Sequence, residues 1–476
     1  MHFVTLRGLE ARGTYYYAVR SGGTGAAWSA TFSFRAGYAD GATRVGIFGD
    51  MGLYAWNNMA NLASDAEAGE IDVVVHIGDH CYNLGGDDER RGDACMDAYQ
   101  PVLASTPWLP VVGNHEFYDG DALRRYLNQS DGVVVADGSD VVASPAADPL
   151  VAGAASTASS PLSRLLATGN HHGAGTHGGS VPSGTSRWYA VDLGLVHLVA
   201  LDLNMYNGVD TCGAACRAAQ LQWLEKDLAA ADANRAKVPW IVAFSHFPLY
   251  CSNCPKPGHE PPPPPPPEAS SSTAATTAPA APMAPPRHQV PPPGAWWQSE
   301  LCEFGAAGHD RNCTAWDASQ GADGTAGRRS DSPGNDDMVP DFEPLFMKYG
   351  VDVYASGHIH DFEWVYPTYN ATPVQRDFAD PRAPVHLVTG NGGPPSASRF
   401  GTIEAYSYLH SSTYSYTRLI AHNATTMEWV QVANDANTTE LERLVITQSR
   451  HGPFPVPPVV GASGATLARQ VAVEVQ

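Results

Sequence analysis

Aspartate, asparagine, tyrosine and histidine recur at one kind of place in this 476-residue chain, directly after a short apolar run. RVGIF leads into Gly49-Asp50, and IDVVVHI into Gly78-Asp79 with Tyr82 three residues on. WLPVV leads into Gly113-Asn114-His115, PWIVAF into Ser245-His246, and VDVYA into Gly357-His358-Ile359-His360. Each alone is weak: a Gly-Asp pair is an ordinary turn, and a lone H-x-H fits a solvated bend. Five such groups, four of them introduced by glycine, agree in a way that chance rarely produces. If the backbone stays extended past Gly357, residues i and i+2 leave the same face, so His358 and His360 point to one side.

The donor types name a chemistry. Carboxylate, phenolate and amide oxygens mixed with imidazole suit Fe, Mn or Zn, and not a thiolate-bound structural zinc. One carboxylate can bridge two cations, and two metals about 3.5–4 Å apart form the clamp used in phosphoester hydrolysis. His358 and His360 can then serve one metal each. His115, beside Asn114, is the candidate to bind phosphate or protonate a leaving alkoxide, with a supporting structural role as the alternative.

Such groups need a rigid edge. The apolar runs named above, with VHLVAL and VHLVTG, read as short buried strands, and AAQLQWLEKDLAAAD has helical periodicity, which together make an α/β signature. Ligands in α/β folds collect beyond the carboxyl ends of strands, where these groups stand. Residues 1–36 differ. HFVTLRGL, GTYYYAVR and AWSATFSFRA alternate as three antiparallel strands, the latter part of a fibronectin-type module of about seven strands. Residues 130–184, rich in Gly, Ala and Ser, and about 255–335, containing the unbroken Pro261 to Pro267, read as insertions. In the first, His171, His172 and His177 read as solvated, because a glycine-rich loop lacks the rigidity a metal site requires. After about Gly452 the chain reads as a loose tail.

A formal net charge of −21 argues against nucleic acid or an anionic membrane as partner. No apolar run is long enough to span a bilayer. Eight cysteines fall in close pairs, Cys81/Cys95, Cys212/Cys216, Cys251/Cys254 and Cys302/Cys313, and invite disulfides. Sequons occur at Asn128, Asn312, Asn370, Asn423 and Asn437. Both features favour a secreted or lysosome-like compartment. The first ten residues, MHFVTLRGLE, lack a signal peptide, so the expectation is that the natural N-terminus, signal included, is missing.

Across most of its length, outside the two insertions, the chain resembles the purple acid phosphatases within the calcineurin-like metallophosphoesterases. The segments that carry the resemblance include SRWYAVDLGLVHLVALD, HFPLYCSN, LFMKYGVDVYASGHIHDFEW and YSYTRLIAHNATTMEWVQV, with the strand-end groups. The resemblance implies a mixed β-sandwich flanked by helices over residues 43–366, a family C-terminal region at 383–450, and a partial N-terminal sandwich at 1–36. It implies Asp50, Tyr82 and His360 as ligands of a ferric ion, Asn114, His246 and His358 as ligands of a divalent metal (Zn, Fe or Mn), and Asp79 as the bridge. The implied activity is acid hydrolysis of small phosphate monoesters, with phosphodiesterase or nucleotide pyrophosphatase chemistry, or a non-catalytic metal protein, as alternatives. One departure stands out. Where plant members carry further histidines beyond the equivalent of His246, this chain reads Cys251-Ser252-Asn253-Cys254, and His259 is the only nearby substitute.

Overall fold

The computed structural model describes residues 6, 8–20, 25–38, 41–53, 57–82, 90–118, 181, 183, 185–206, 213–252, 254, 335–393, 403–435 and 437–455. Both insertions fall almost wholly outside these residues, as do His171, His172, His177, His259, the Cys302/Cys313 pair, Cys212 and the tail beyond residue 455.

The strands, in chain order, are β1 (Thr14–Tyr17), β2 (Phe32–Arg35), β3 (Thr43–Phe48), β4 (Val73–Ile77), β5 (Trp108–Val111), β6 (Tyr189–Leu193), β7 (Val196–Ala200), β8 (Trp240–Ser245), β9 (Val353–Ser356) and β10 (Phe362–Val365). They continue as β11 (Thr368–Tyr369), β12 (Thr372–Pro373), β13 (Val385–Thr389), β14 (Ser407–Ser411), β15 (Ser415–Asn423), β16 (Thr426–Ala433) and β17 (Glu440–Thr447). Two mixed sheets result, ordered β14-β10-β13-β9-β8-β7-β6 and β17-β16-β15-β3-β4-β5. Their centres are parallel, with β3 beside β4 beside β5 in one and β7 beside β8 beside β9 beside β13 in the other.

Parallel centres force their strands to be buried on both faces, which is why they read as unbroken apolar runs. The period of two still sorts them. Val45, Ile47, Val73, Val75, Trp240, Val242 and Phe244 enter the core between the sheets. The alternate residues Ile241 and Ala243 meet Leu224 and Leu228 of helix α4 (Gly213–Ala233) and Phe342 and Phe346 of α5 (Asn335–Tyr349). On the opposite flank, Phe48 and Val74 meet Leu62 of α1 (Met59–Ala68) and Ala98 and Tyr99 of α2 (Arg90–Leu103). The architecture is thus the helix-flanked mixed sandwich that the sequence implied.

Strands β1 and β2 pair antiparallel as a separate two-stranded sheet before this sandwich, and Tyr17 Oη donates to Ala104 O at 2.7 Å to tie it down. Of the third strand expected nearby, residues 1–5 and 7 lie outside the described set and the rest of HFVTLRGL is not extended sheet. Among the described residues no helix is long and apolar enough to cross a membrane.

Candidate metal centre

The seven proposed ligands stand just beyond β3, β4, β5, β8 and β9, three strands from one sheet and two from the other. Their loops therefore meet at the rim where both sheets end. The approach is tight enough that glycine is obligatory: a β-carbon on Gly357 would stand 2.5 Å from Asp50 Oδ2. Four of the seven residues, Asp50 (φ 58°), Asp79 (φ 50°), Tyr82 (φ 50°) and His358 (φ 67°), hold the left-handed backbone conformation that side chains disfavour. Such strain persists where the surroundings over-determine it, commonly at functional sites.

The side chains form two groups. In one, Tyr82 Oη lies 3.0 Å from His360 Nε2 and 3.5 Å from Asp50 Oδ1, and His360 Nε2 lies 3.5 Å from the same carboxylate oxygen. In the other, His246 Nε2 lies 2.8 Å from Asn114 Oδ1, and His358 Nδ1 lies 3.0 Å from that oxygen and 3.2 Å from His246 Nε2. Asp79 Oδ2 is 3.3 Å from His246 Nε2. Asp79, His246 and His358 present three donor atoms all within 4.8 Å of one another. Asp50 Oδ2 links the groups by accepting the backbone N–H of His358 at 2.8 Å.

Electrostatics favour positive charge here. His246 is fully buried, and its Nδ1 lies 2.9 Å from Ile77 O; donation to that carbonyl spends Nδ1–H on the backbone and turns the Nε2 lone pair inward, onto two oxygens. Acceptors at those separations repel unless a cation or a proton sits among them. Burial opposes charge on the ring, yet Asp79 and Asp50 raise its pKa to about 10. The Asp79 carboxyl is held well below its usual range, because His246 and His115 outweigh its burial. Burial pushes the Asp50 carboxyl up, against the pull of His246 and His360. Two buried carboxylates beside inward-facing imidazole lone pairs are a donor set that fits hard or borderline cations.

His115 sits at the edge of the site with its side chain 21% exposed, Nε2 3.9 Å from Asp79 Oδ2. Its ring meets Tyr82 edge-on at 4.6 Å between centroids, and its backbone N–H donates to Asp79 Oδ1 at 3.0 Å.

Sequence reasoning missed Glu116. This wholly buried carboxylate, in the short helix α3 (His115–Tyr118), accepts the N–H groups of Asp79 at 3.0 Å, His80 at 3.0 Å and Gly113 at 2.7 Å. It joins the loop after β4 to the loop after β5. Burial, then Asp79, raises its pKa to about 8. The signal was its position directly after Asn114-His115, but a single sequence does not tell a buried acid from a solvated one.

Residues 43–263 match the calcineurin-like phosphoesterase family, and residues 383–440 match the iron/zinc purple acid phosphatase-like protein C family. The chain is 27% identical to acid phosphatase type 7 of Homo sapiens over 443 residues, covering 91% of this chain and 74% of that one. It is 24% identical to purple acid phosphatase 22 of Arabidopsis thaliana over 393 residues, covering 83% and 58%. The solved purple acid phosphatase PPD1 from yellow lupin seeds shares the fold, with a TM-score of 0.54 at 18% identity over 93% of this chain and 61% of that one.

Proposed function

Because the chain belongs to the purple acid phosphatase family of the calcineurin-like phosphoesterases, and is thereby a phosphatase acting on phosphate monoesters at a two-metal centre, we propose that its own residues divide that work as follows. Asp50, Tyr82 and His360 hold a ferric ion, Asn114, His246 and His358 hold a divalent ion (Zn, Fe or Mn), and Asp79 spans the two. The observation that carries this reading is the pair of converging side-chain clusters, Asp50-Tyr82-His360 and Asn114-His246-His358, with Asp50 and Asp79 drawing positive charge toward His246. A bound pair of cations supplies Lewis acidity toward phosphate oxygens and lowers the pKa of water.

The protein residues set the geometry. Ile77 O fixes the ring of His246 so that Nε2 faces inward, and Glu116 fixes the backbone of Asp79. Orientation of this kind from outside the ligand set commonly sustains metal affinity. His115 Nε2, at the accessible edge, binds a phosphate oxygen or gives its proton to the leaving alkoxide. Tyr82 supports His115 through its ring and separates this reading from metallophosphoesterases without a tyrosinate.

The substrates would be small phosphate monoesters, processed in a secreted or lysosome-like compartment by a protein of which residues 1–36, 43–366 and 383–450 form successive parts. The compartment is supported by the disulfides Cys81–Cys95 and Cys251–Cys254 and by sequon asparagines at exposed positions 370, 423 and 437. Hydrolysis of p-nitrophenyl phosphate, measured beside its bis ester at acidic pH with metal analysis, tests the proposal. A bis-ester preference favours the phosphodiesterase alternative, and loaded protein that hydrolyses neither supports a non-catalytic role.

A further inference from the structure

The loop that carries Asp79 and Tyr82 is gripped from outside the site by one face of α2. Residues four apart on a helix share a face, and Arg91, Cys95 and Tyr99 are spaced in that way. They meet three consecutive loop residues in reverse order. Arg91 Nη1 donates to Tyr82 O at 2.9 Å, Cys95 is disulfide-bonded to Cys81, and Tyr99 Oη donates to His80 O at 2.5 Å. Cys81 is 2% exposed and Cys95 fully buried, so the bond lies inside the packed layer between α2 and the six-stranded sheet.

We propose that α2 is a covalently fastened splint for this ligand loop, with Arg91, Cys95 and Tyr99 as positioning residues that set Tyr82 and Asp79 for metal binding. This rests on the reading of Asp79 and Tyr82 as ligands. The argument is one of constraint. Asp79 and Tyr82 both hold left-handed backbone conformations (φ 50° each), which last only where neighbours leave no alternative. Glu116 takes the loop's N–H groups at Asp79 and His80, and the carbonyls of His80 and Tyr82 go to other donors, Gly52 N–H reaching His80 O at 3.1 Å. Tyr99 and Arg91 take those carbonyls, and the disulfide fixes the residue between them. The loop's N–H groups are therefore held by Glu116 and its carbonyls by α2 together with Gly52, with the covalent bond at the residue directly before Tyr82. A disulfide at this point confines the Tyr82 phenol to one place without contacting it.

The test uses the purified holoenzyme and four variants, Cys81→Ala/Cys95→Ala, Arg91→Met, Arg91→Lys and Tyr99→Phe. Each is measured for circular dichroism, bound metal after equilibration against a competing chelator, the visible tyrosinate-to-iron band, and kcat and KM on p-nitrophenyl phosphate. The expected result is folded protein whose iron affinity falls about 10- to 100-fold, the range for supporting residues outside the ligand set. The band should shift or weaken, and kcat should fall more than KM rises. Arg91→Lys keeps a donor for Tyr82 O and should recover most of what Arg91→Met loses, which a general packing role would not require. If the double variant does not fold, Arg91→Met and Tyr99→Phe carry the test. A coloured wild type whose variants keep band, metal and kcat unchanged overturns the splint alone. A colourless, iron-free wild type that is nevertheless active overturns the ligand reading, and the splint with it.

Discussion

Gly357→Ala is the sharpest perturbation the geometry offers. The added β-carbon would stand 2.5 Å from Asp50 Oδ2 and 3.0 Å from Ile77 O, where ordinary contact begins near 3.4 Å, so about 0.9 Å must be found against the carboxylate. Neither neighbour yields cheaply. Ile77 O belongs to β4 and lies 2.9 Å from His246 Nδ1, while Asp50 Oδ2 holds the His358 N–H at 2.8 Å. The displacement therefore falls on Asp50 and His358, one member of each proposed ligand group. Donor distances in a metal site hold to within about 0.2 Å, and a misplacement of about 1 Å costs on the order of 10² in rate. Overpacking itself costs about 1–3 kcal/mol, which a domain of this size can survive. Folded protein is thus expected, with kcat/KM reduced about 10²-fold or more and metal content below two per chain. Gly37→Ala, whose β-carbon would meet nothing within 4 Å, is the control and should match wild type. Gly357→Ala enzyme with full metal content and a rate within about twofold of wild type would refute the claim that backbone closeness positions Asp50.

Asp79→Asn should lose a metal and nearly all activity, because an amide cannot offset repulsion between two cations. His115→Asn should lose about 10²- to 10⁴-fold in kcat/KM with both metals retained, and metal analysis beside kinetics distinguishes the two. Tyr82→Phe should abolish a purple or pink tyrosinate band, and a coloured Phe variant would move the assignment to another residue. A fourth test concerns stability: His197 Nδ1 lies 2.6 Å from Asp192 and Nε2 2.9 Å from Asp227, and although burial works against the charge, the two carboxylates raise its pKa from 6.5 to about 9. A folded pKa above the unfolded one means the stabilisation is complete below pH 6.5 and lost as pH rises through about 9, roughly 3 kcal/mol at 1.36 kcal/mol per pH unit; urea unfolding should show that loss in wild type and not in His197→Gln.

What the sequence disclosed about this fold follows from which features are local. Runs such as VDVYA and PWIVAF are bounded by glycine or by a polar strand end, and a strand buried on both faces has no other way to be written. The long helix α4 was legible for the same reason, through its run of good helix formers. Helix α5 was not, because Pro340 and Pro344 lie inside it and argue against a helix on local grounds. Its Met338, Phe342 and Phe346 lie on one apolar face, packed with α4 and the seven-stranded sheet, and that tertiary burial outweighs propensity. The small N-terminal sheet was legible as strands but not in extent.

The residues proposed as ligands stand at strand ends, where a sequence pattern marks them, whereas the contacts that hold them cross long stretches of chain and leave no local signature. Ile77 orients His246 across 169 residues, and Asp50 holds His358 across 308. Nor does any local rule announce that Asp50, Asp79, Tyr82 and His358 take left-handed backbone. Each such residue costs about 1–3 kcal/mol, so four of them rival the roughly 5–15 kcal/mol that separates a typical native state from its unfolded chain. The buried Asp50 carboxyl, which burial pushes up, adds to that burden. If these residues bind cations as proposed, binding would return stability to the native state alone, and donors already held in strained positions would need no further ordering when a cation enters. On that reading, the strain that local propensity advises against is what would make the rim of this sandwich a metal centre and not a set of turns.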